Sequence, residues 1–472
     1  MFREKCGVVA VRSYGGAPVA PIIVNCLRAL QHRGQEGWGV SLWGWRIFRR
    51  AGLVSDSAQH FLRLIGNRPF DRGIGHVRYS TVGGPQYLQP LEVRNLRVAH
   101  NGTVVNYSSL LREAGLPEDV RSDSMALAAR LAVALEDEHR DWASAFAELS
   151  KSVVGSFCLV VQDGRGTLAA ARDPLGFRPL CVGYIKENDT YIVASESCAL
   201  EAVGARLLCD VKPGQLVVLD EGGPSFQTYA ESRAERPCAF EYVYFAHPSS
   251  VIDGVSVYEV RRRVGRLMAE RCPLEGDVVI PVPDSARPAA LGYAERLGIP
   301  FEEGLLKDRY SRKGGWRSFI EPDEESRREI NRLIVPIKST VQGKRVILVD
   351  DSLVRGISAS EIIRILKKAG AVEVYLVLTF PPILHPCFMG IDFPEKEELA
   401  VYRASLIFKS GNICEKVAKL IGADRVVYND PRTLAEAIGK DVSRLCFSCV
   451  TGDYYPLPPP PASLKRALLK GG

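Results

Sequence analysis

The stretch of the 472-residue chain densest in chemistry is RVILVDDSLVRGIS, from Arg345 to Ser358. An apolar run there ends in two adjacent carboxylates, Asp350 and Asp351, and a short loop containing Gly356 then opens a helix. Ligands of open parallel sheets bind at the carboxyl ends of strands, and the unpaired N–H groups of a helix N-terminus suit phosphate. A second candidate is Cys6, which begins the run CGVVAV and by itself reads as the first residue of a buried strand. The third candidate is a set of thiols. Cys446 and Cys449 form a CxxC pair in LCFSCVTGDYY, Cys387 lies in PPILHPCFMGID and Cys238 in RPCAFEYVYFAHP. By spacing alone these four could hold zinc or nothing.

The elements that must carry these residues fall into two styles. From Cys6 to about Leu219 short β-like runs (CGVVAV, SFCLVVQ, TLAAA, YIVAS, QLVVL) alternate with Gly, Asp and Pro. Two amphipathic helix patterns interrupt them, Pro21 to Gln31 and Asp123 to Leu135. This predicts an α+β sandwich. The turn-rich segment from Asp220 to Pro237 marks a boundary. Beyond it VVIPVP, a helix from Ala286 to Leu297, RVILVDD, a helix from Ser358 to Ala369 and VYLVLTF alternate, which predicts a mostly parallel, doubly wound α/β sheet. The end, PLPPPPASLKRALLK, reads as an extended proline segment and a short basic helix.

Composition narrows the class. An apolar fraction of 46% and a charged fraction of 25% are those of an ordinary globular enzyme. A net charge of +6 without a dense Lys/Arg block argues against a nucleic-acid partner and for small anionic substrates. No apolar stretch suits a membrane span or a signal peptide, so a cytoplasmic location is expected. In a reducing cytosol the twelve cysteines are not a disulfide framework. Cys26, Cys158, Cys181, Cys198, Cys209, Cys272 and Cys414 read mostly as packing residues.

Four ordered segments in the first half are similar to the signatures of glutaminases with an N-terminal cysteine: LQHRGQEGWG (Leu30 to Gly39), GHVRYSTVGG (Gly75 to Gly84), HNGTVVN (His100 to Asn106) and SDS (Ser122 to Ser124). The resemblance implies that Cys6 is the nucleophile, with its own α-amine as proton acceptor. It also implies that Asn101 and Gly102 stabilise the oxyanion, and that Arg78 and Asp123 hold the α-carboxylate and α-ammonium of glutamine. A free amine on Cys6 requires removal of residues 1–5 as a propeptide, by cleavage between Lys5 and Cys6.

The Arg345 to Ser358 segment resembles the phosphoribosylpyrophosphate (PRPP) motif of type I phosphoribosyltransferases. That resemblance places Asp350 and Asp351 at the ribose hydroxyls and Mg2+, and Ser352, Arg355, Gly356 and Ser358 in the 5′-phosphate loop. IPVPDSARPAALGYA resembles the segment of these enzymes that places a serine, here Ser285, near the metal and a basic residue, here Arg287, near the pyrophosphate. EEGLLKDRY with RSFI resembles a closing loop, with Lys307, Arg309 and Arg317 as anion contacts. Ile357 stands where a hydroxyl residue is usual, and SRKGGW lengthens the closing loop.

Together the halves resemble the glutamine PRPP amidotransferase family. The implied fold is an N-terminal nucleophile (Ntn) hydrolase sandwich over 6–236, followed by a type I phosphoribosyltransferase domain over 237–455 and a tail from 456. The implied reaction turns glutamine, PRPP and water into 5-phosphoribosylamine, glutamate and pyrophosphate, the entry to purine synthesis. The words around Cys238, Cys387, Cys446 and Cys449 are similar to the subset of that family that holds a [4Fe-4S] cluster and carries a propeptide. Purine nucleotide inhibitors and a homotetramer are further expectations. Two alternatives are a glutaminase serving a hexose phosphate and a non-catalytic regulatory paralogue that binds PRPP or nucleotides.

Overall fold

Alternating apolar residues in the first half build two antiparallel sheets. The structure, a computed structural model, describes residues 6–79, 85–117, 120–136, 141–232, 234–307, 334–391 and 395–454. The propeptide, Arg309, Arg317, most of the closing loop and the proline tail lie outside these residues. One sheet has seven strands in the order Arg206–Asp210, Cys181–Ile185, Thr190–Ala194, Gly7–Ser13, Arg72–Arg78, Gly37–Leu42, Phe48–Ala51. The other has six, in the order Gly223–Thr228, Gln215–Asp220, Leu168–Arg172, Gly155–Asp163, Leu96–Val104, Leu91–Val93.

Side chains of period two decide how the sheets stack. Val8 and Ala10 of the strand after Cys6 point at Ala99, Cys158 and Val160 of the other sheet, while Val9 and Val11 point at the helices outside. Helices Val19–Ala29 and Val54–Ile65 cover one outer face, and Asp123–Glu136 with Trp142–Ser152 cover the other. The result is a four-layer αββα sandwich.

Helices at 54–65 and 142–152 exceed the two expected from sequence. Val54, Ala58, Phe61 and Ile65 are buried at helical spacing, so the pattern was present but diluted by SDS and QH between them. The turn-rich stretch after Asp220 also differs from expectation, since Gly223–Thr228 forms an edge strand paired with Gln215–Asp220. Cys209 and Cys272 are exposed, so these two are not core packing residues.

The second half is a parallel sheet in the order Val278–Pro281, Arg345–Asp350, Glu373–Leu378, Arg425–Tyr428. Helices Val257–Arg271, Arg287–Leu297 and Pro431–Ile438 lie on one face, and Ile357–Lys368, Ala400–Ile407 and Ile413–Ile421 on the other. Val279 pairs in parallel with Phe301 on one side and with Ile347 on the other. The chain therefore reverses its direction of winding between Val278–Pro281 and Arg345–Asp350, which opens a crevice at their carboxyl ends. A ribbon of Leu305–Lys307 and Ile334–Pro336 rises beside it.

Candidate active sites

Cys6 lies at the entrance of Gly7–Ser13, buried, with Sγ 3.8 Å from the carbonyl oxygen of Tyr79. The register that pairs Gly7 with Val77 brings Arg78 to the same end of the sheet as Cys6. Leu96–Val104 packs across from the strand that follows Cys6 and carries the two oxyanion candidates. Asn101 is fully buried, and neither its amide nitrogen nor its amide oxygen has a hydrogen-bond partner among the described residues. A buried amide left unsatisfied is costly, and its N–H groups are available to a ligand. Gly102 has φ of 154°, and a Cβ there would sit 2.1 Å from the carbonyl oxygen of Ser156. Only glycine keeps the strand pair closed with that backbone rotation.

Asp123 opens its helix and accepts from Val104 N at 3.2 Å and Ser124 N at 2.7 Å, which ties the helix start to the oxyanion strand. Behind Asn101, His100 bonds Ser124 Oγ through Nδ1 at 3.1 Å, and His76 bonds the His100 carbonyl at 3.2 Å. Burial keeps both imidazoles neutral and pushes His76 down to about 3. Cys6, Asn101, Gly102 and Asp123 thus lie around one sheet interface, with Arg78 at its end.

Sequence reading missed the charges beneath this pocket. Arg33 Nε donates to the Cys6 carbonyl at 2.9 Å, and its terminal nitrogens bind Glu196 at 2.5 Å and Glu241 at 2.8 Å. The signal was Glu241 alone in the apolar run CAFEYVYFA, since a carboxylate in such a run must find a cation.

In the crevice of the second half, Asp351 Oδ2 accepts from Ser285 Oγ at 2.6 Å and its Oδ1 from Ser352 Oγ at 2.8 Å. Asp351 N donates to Asp350 Oδ1 at 2.8 Å. Burial, reinforced by the charge of Asp351, pushes the Asp350 carboxyl well above its ordinary range, and Lys307 draws it partly back. Two carboxylates and a hydroxyl at one point form an all-oxygen set that fits Mg2+. Lys307 and Arg287 share Asp284, at 3.1 and 2.6 Å, and Arg287 also binds Glu303 at 2.9 Å. Arg355 Nε binds Glu398 at 2.7 Å. Gly356, with φ of 83°, caps the helix that Ile357 begins and Ser358 continues. At Ile357 the helix still offers backbone N–H groups, which do not depend on a side-chain hydroxyl.

The four thiols also converge. Cys238 and Cys446 form a parallel bridge, and Leu384 N and His385 N both bond the Cys449 carbonyl at 2.9 Å. Met389 N donates to Cys387 Sγ at 3.3 Å. Burial, and then their neighbouring thiols, push Cys238 and Cys449 well up and Cys387 to about 12. Among the described residues no three of these sulfurs fall within 4.8 Å of one another. Together they form an all-sulfur donor set of the kind that holds zinc or an iron–sulfur cluster.

A buried thiol at the head of a two-sheet sandwich, joined to an acidic pair at the switch point of a parallel sheet, is the arrangement of a glutamine amidotransferase fused to a phosphoribosyltransferase. Residues 76–202 match the glutamine amidotransferase domain family and residues 257–383 the phosphoribosyl transferase domain family. The chain belongs to the amidophosphoribosyltransferase family. It is 38% identical to the amidophosphoribosyltransferase of Methanocaldococcus jannaschii, over 95% of this chain and 97% of that protein. It is also 38% identical to that of Mycobacterium tuberculosis, over 96% and 86%. The glutamine PRPP amidotransferase of B. subtilis, solved with ADP and GMP, superposes with a TM-score of 0.81 at 34% identity, covering 96% of this chain and 99% of that one. The chain is thus an enzyme of the first step of purine synthesis, and these relatives give the non-catalytic alternative no support. No described helix is long and apolar enough to cross a membrane.

Proposed function

We propose that Cys6 attacks the amide of glutamine once residues 1–5 are removed, with its α-amine taking the thiol proton. Asn101 and the Gly102 N–H donate to the developing oxyanion, while Arg78 and Asp123 clamp the two charged ends of the amino acid. The ammonia released reaches C1 of PRPP in the second crevice. Ser285, Asp350 and Asp351 would hold Mg2+, which when bound supplies positive charge against the pyrophosphate leaving group. Lys307 and Arg287 exchange their present acidic partners for the diphosphate, Arg309 adds a further cation to it, and Ser352, Arg355, Gly356 and Ser358 surround the 5′-phosphate. The two domains meet near residue 236.

Cys238, Cys387, Cys446 and Cys449 would ligate a [4Fe-4S] cluster, a stabilising group for a reaction that moves no electrons. The B. subtilis relative was solved with ADP and GMP, and a second relative is described as an allosteric regulatory enzyme. Purine nucleotides are therefore the expected inhibitors of this chain, and a homotetramer its expected assembly in the cytoplasm.

The observation that carries the glutaminase half is the unpartnered amide of Asn101. The test compares pyrophosphate release driven by glutamine with that driven by ammonia. Cys6→Ser should abolish only the glutamine-driven reaction, and Asp351→Asn should lower both by roughly a hundredfold or more. Glutamine-driven turnover by Cys6→Ser at the wild-type rate would overturn the assignment.

A further inference from the structure

The glutamine pocket is braced from below by groups drawn from both halves of the chain. Arg33, Arg178, Glu196 and Glu241 form a charge-balanced cluster in which every side chain is at most 2% exposed. Arg33 joins the Cys6 carbonyl to Glu241, and Arg178 NH1 binds the same carboxylate at 2.9 Å. Arg178 NH2 continues the chain to the carbonyl of Gly390 and, at 3.4 Å, to that of Met389. A second strut runs beneath the oxyanion strand. Ser156 Oγ donates to the Met389 carbonyl at 3.0 Å, and Ser156 pairs with Thr103 in the ladder, its carbonyl facing Gly102.

Glu241 lies three residues beyond Cys238, and Met389 and Gly390 lie just beyond Cys387. One strut therefore supports the nucleophile's backbone and the other the oxyanion strand, and both start from the cysteine-bearing segments. His32, Glu196 and Cys198 approach within 4.8 Å, but the site does not suit a cation. The Glu196 carboxylate already accepts from Arg33, His32, His247 N and Ser250 Oγ, and the Arg33 guanidinium repels a positive ion. Glu196 anchors the cluster instead.

We infer that Glu241 and Ser156 are positioning residues of the glutaminase half-reaction, acting through Arg33 on Cys6 and through the ladder on Gly102. This rests on Cys6 as nucleophile and Gly102 as oxyanion donor. A buried bond network of this kind has few alternative arrangements, so losing one member shifts the reacting groups without removing them. Small misplacement lowers turnover far more than it lowers substrate affinity.

The test uses the full chain carrying Glu241→Gln or Ser156→Ala, with kcat and KM measured for glutamine and for ammonia. The glutamine-driven kcat should fall roughly ten- to a hundredfold, with the glutamine KM and the ammonia-driven rate within about twofold of wild type. A parallel fall of both rates would mean a general structural role and overturn the inference, as would unchanged glutamine turnover. If Glu241→Gln fails to fold, Ser156→Ala, which removes a single hydroxyl, decides the matter. Cys6→Ala measured alongside separates the two readings. Glutamine-driven turnover retained there would overturn the assignment of Cys6, and the positioning roles with it.

Discussion

Asn101 concentrates the logic of the first site at the residue scale. Its side chain is enclosed, its two polar atoms are unmatched, and the next residue is a glycine in a conformation that other residues rarely adopt. In the proposed role of oxyanion donor, an amide prepared in advance needs no reorganisation when negative charge develops. Asn101→Ala should therefore lower the glutamine-driven kcat by about a hundred- to a thousandfold. The ammonia-driven rate should stay at wild type, and removal of an unsatisfied group should leave the melting temperature unchanged or raised. A loss of both activities would show the asparagine to be structural. At the second site the corresponding residue is Asp351, whose carboxylate is oriented by two serine hydroxyls.

The element scale decides where Arg287 and Ser285 stand. Helix Arg287–Leu297 lies against helix Val257–Arg271 so closely that a Cβ on Gly265 would sit 1.9 Å from the Ala289 carbonyl. On Gly292 it would sit 2.1 Å from the Arg262 carbonyl. Two glycines facing opposite ways set the spacing of this helix pair, and backbone atoms cannot yield as a side chain can. Gly265→Ala should destabilise the protein by about 1–3 kcal/mol, read as a fall in melting temperature. It should also weaken PRPP affinity, because the loop before the helix carries Ser285. Unchanged stability and PRPP affinity would show that the helices can part without effect on the crevice.

On the scale of the whole molecule the two halves are joined by buried charge as well as by apolar contact. Asp253 binds Arg172 of the sandwich at 2.7 Å and Lys440 of the second half at 3.3 Å. Burial would raise its carboxyl, yet Arg172 and then Lys440 hold it down to about 2. A depressed carboxylate contributes stability above its ordinary value of 3.8, and that contribution is lost as pH falls toward 2. Asp253→Asn keeps a residue that tolerates the left-handed backbone at φ of 49°. It should lower stability by about 2 kcal/mol at neutral pH, with the difference vanishing below pH 2, as denaturant titrations across pH would show. An equal loss at both ends would assign the effect to packing. The amino-acid sequence by itself determined the strand ending in Asp350 and Asp351, the helix after Gly356 and the alternation that makes a two-sheet sandwich, because each is a local pattern. The candidate sites were legible through short words such as HNGTVVN and VDDS, whose residues are neighbours in the chain. Arg33 and Glu241 are 208 positions apart, and Ser156 and Met389 are 233 apart. No local pattern joins such pairs, and only the packing of the two halves, by enclosing these groups away from water, made each the necessary partner of the other.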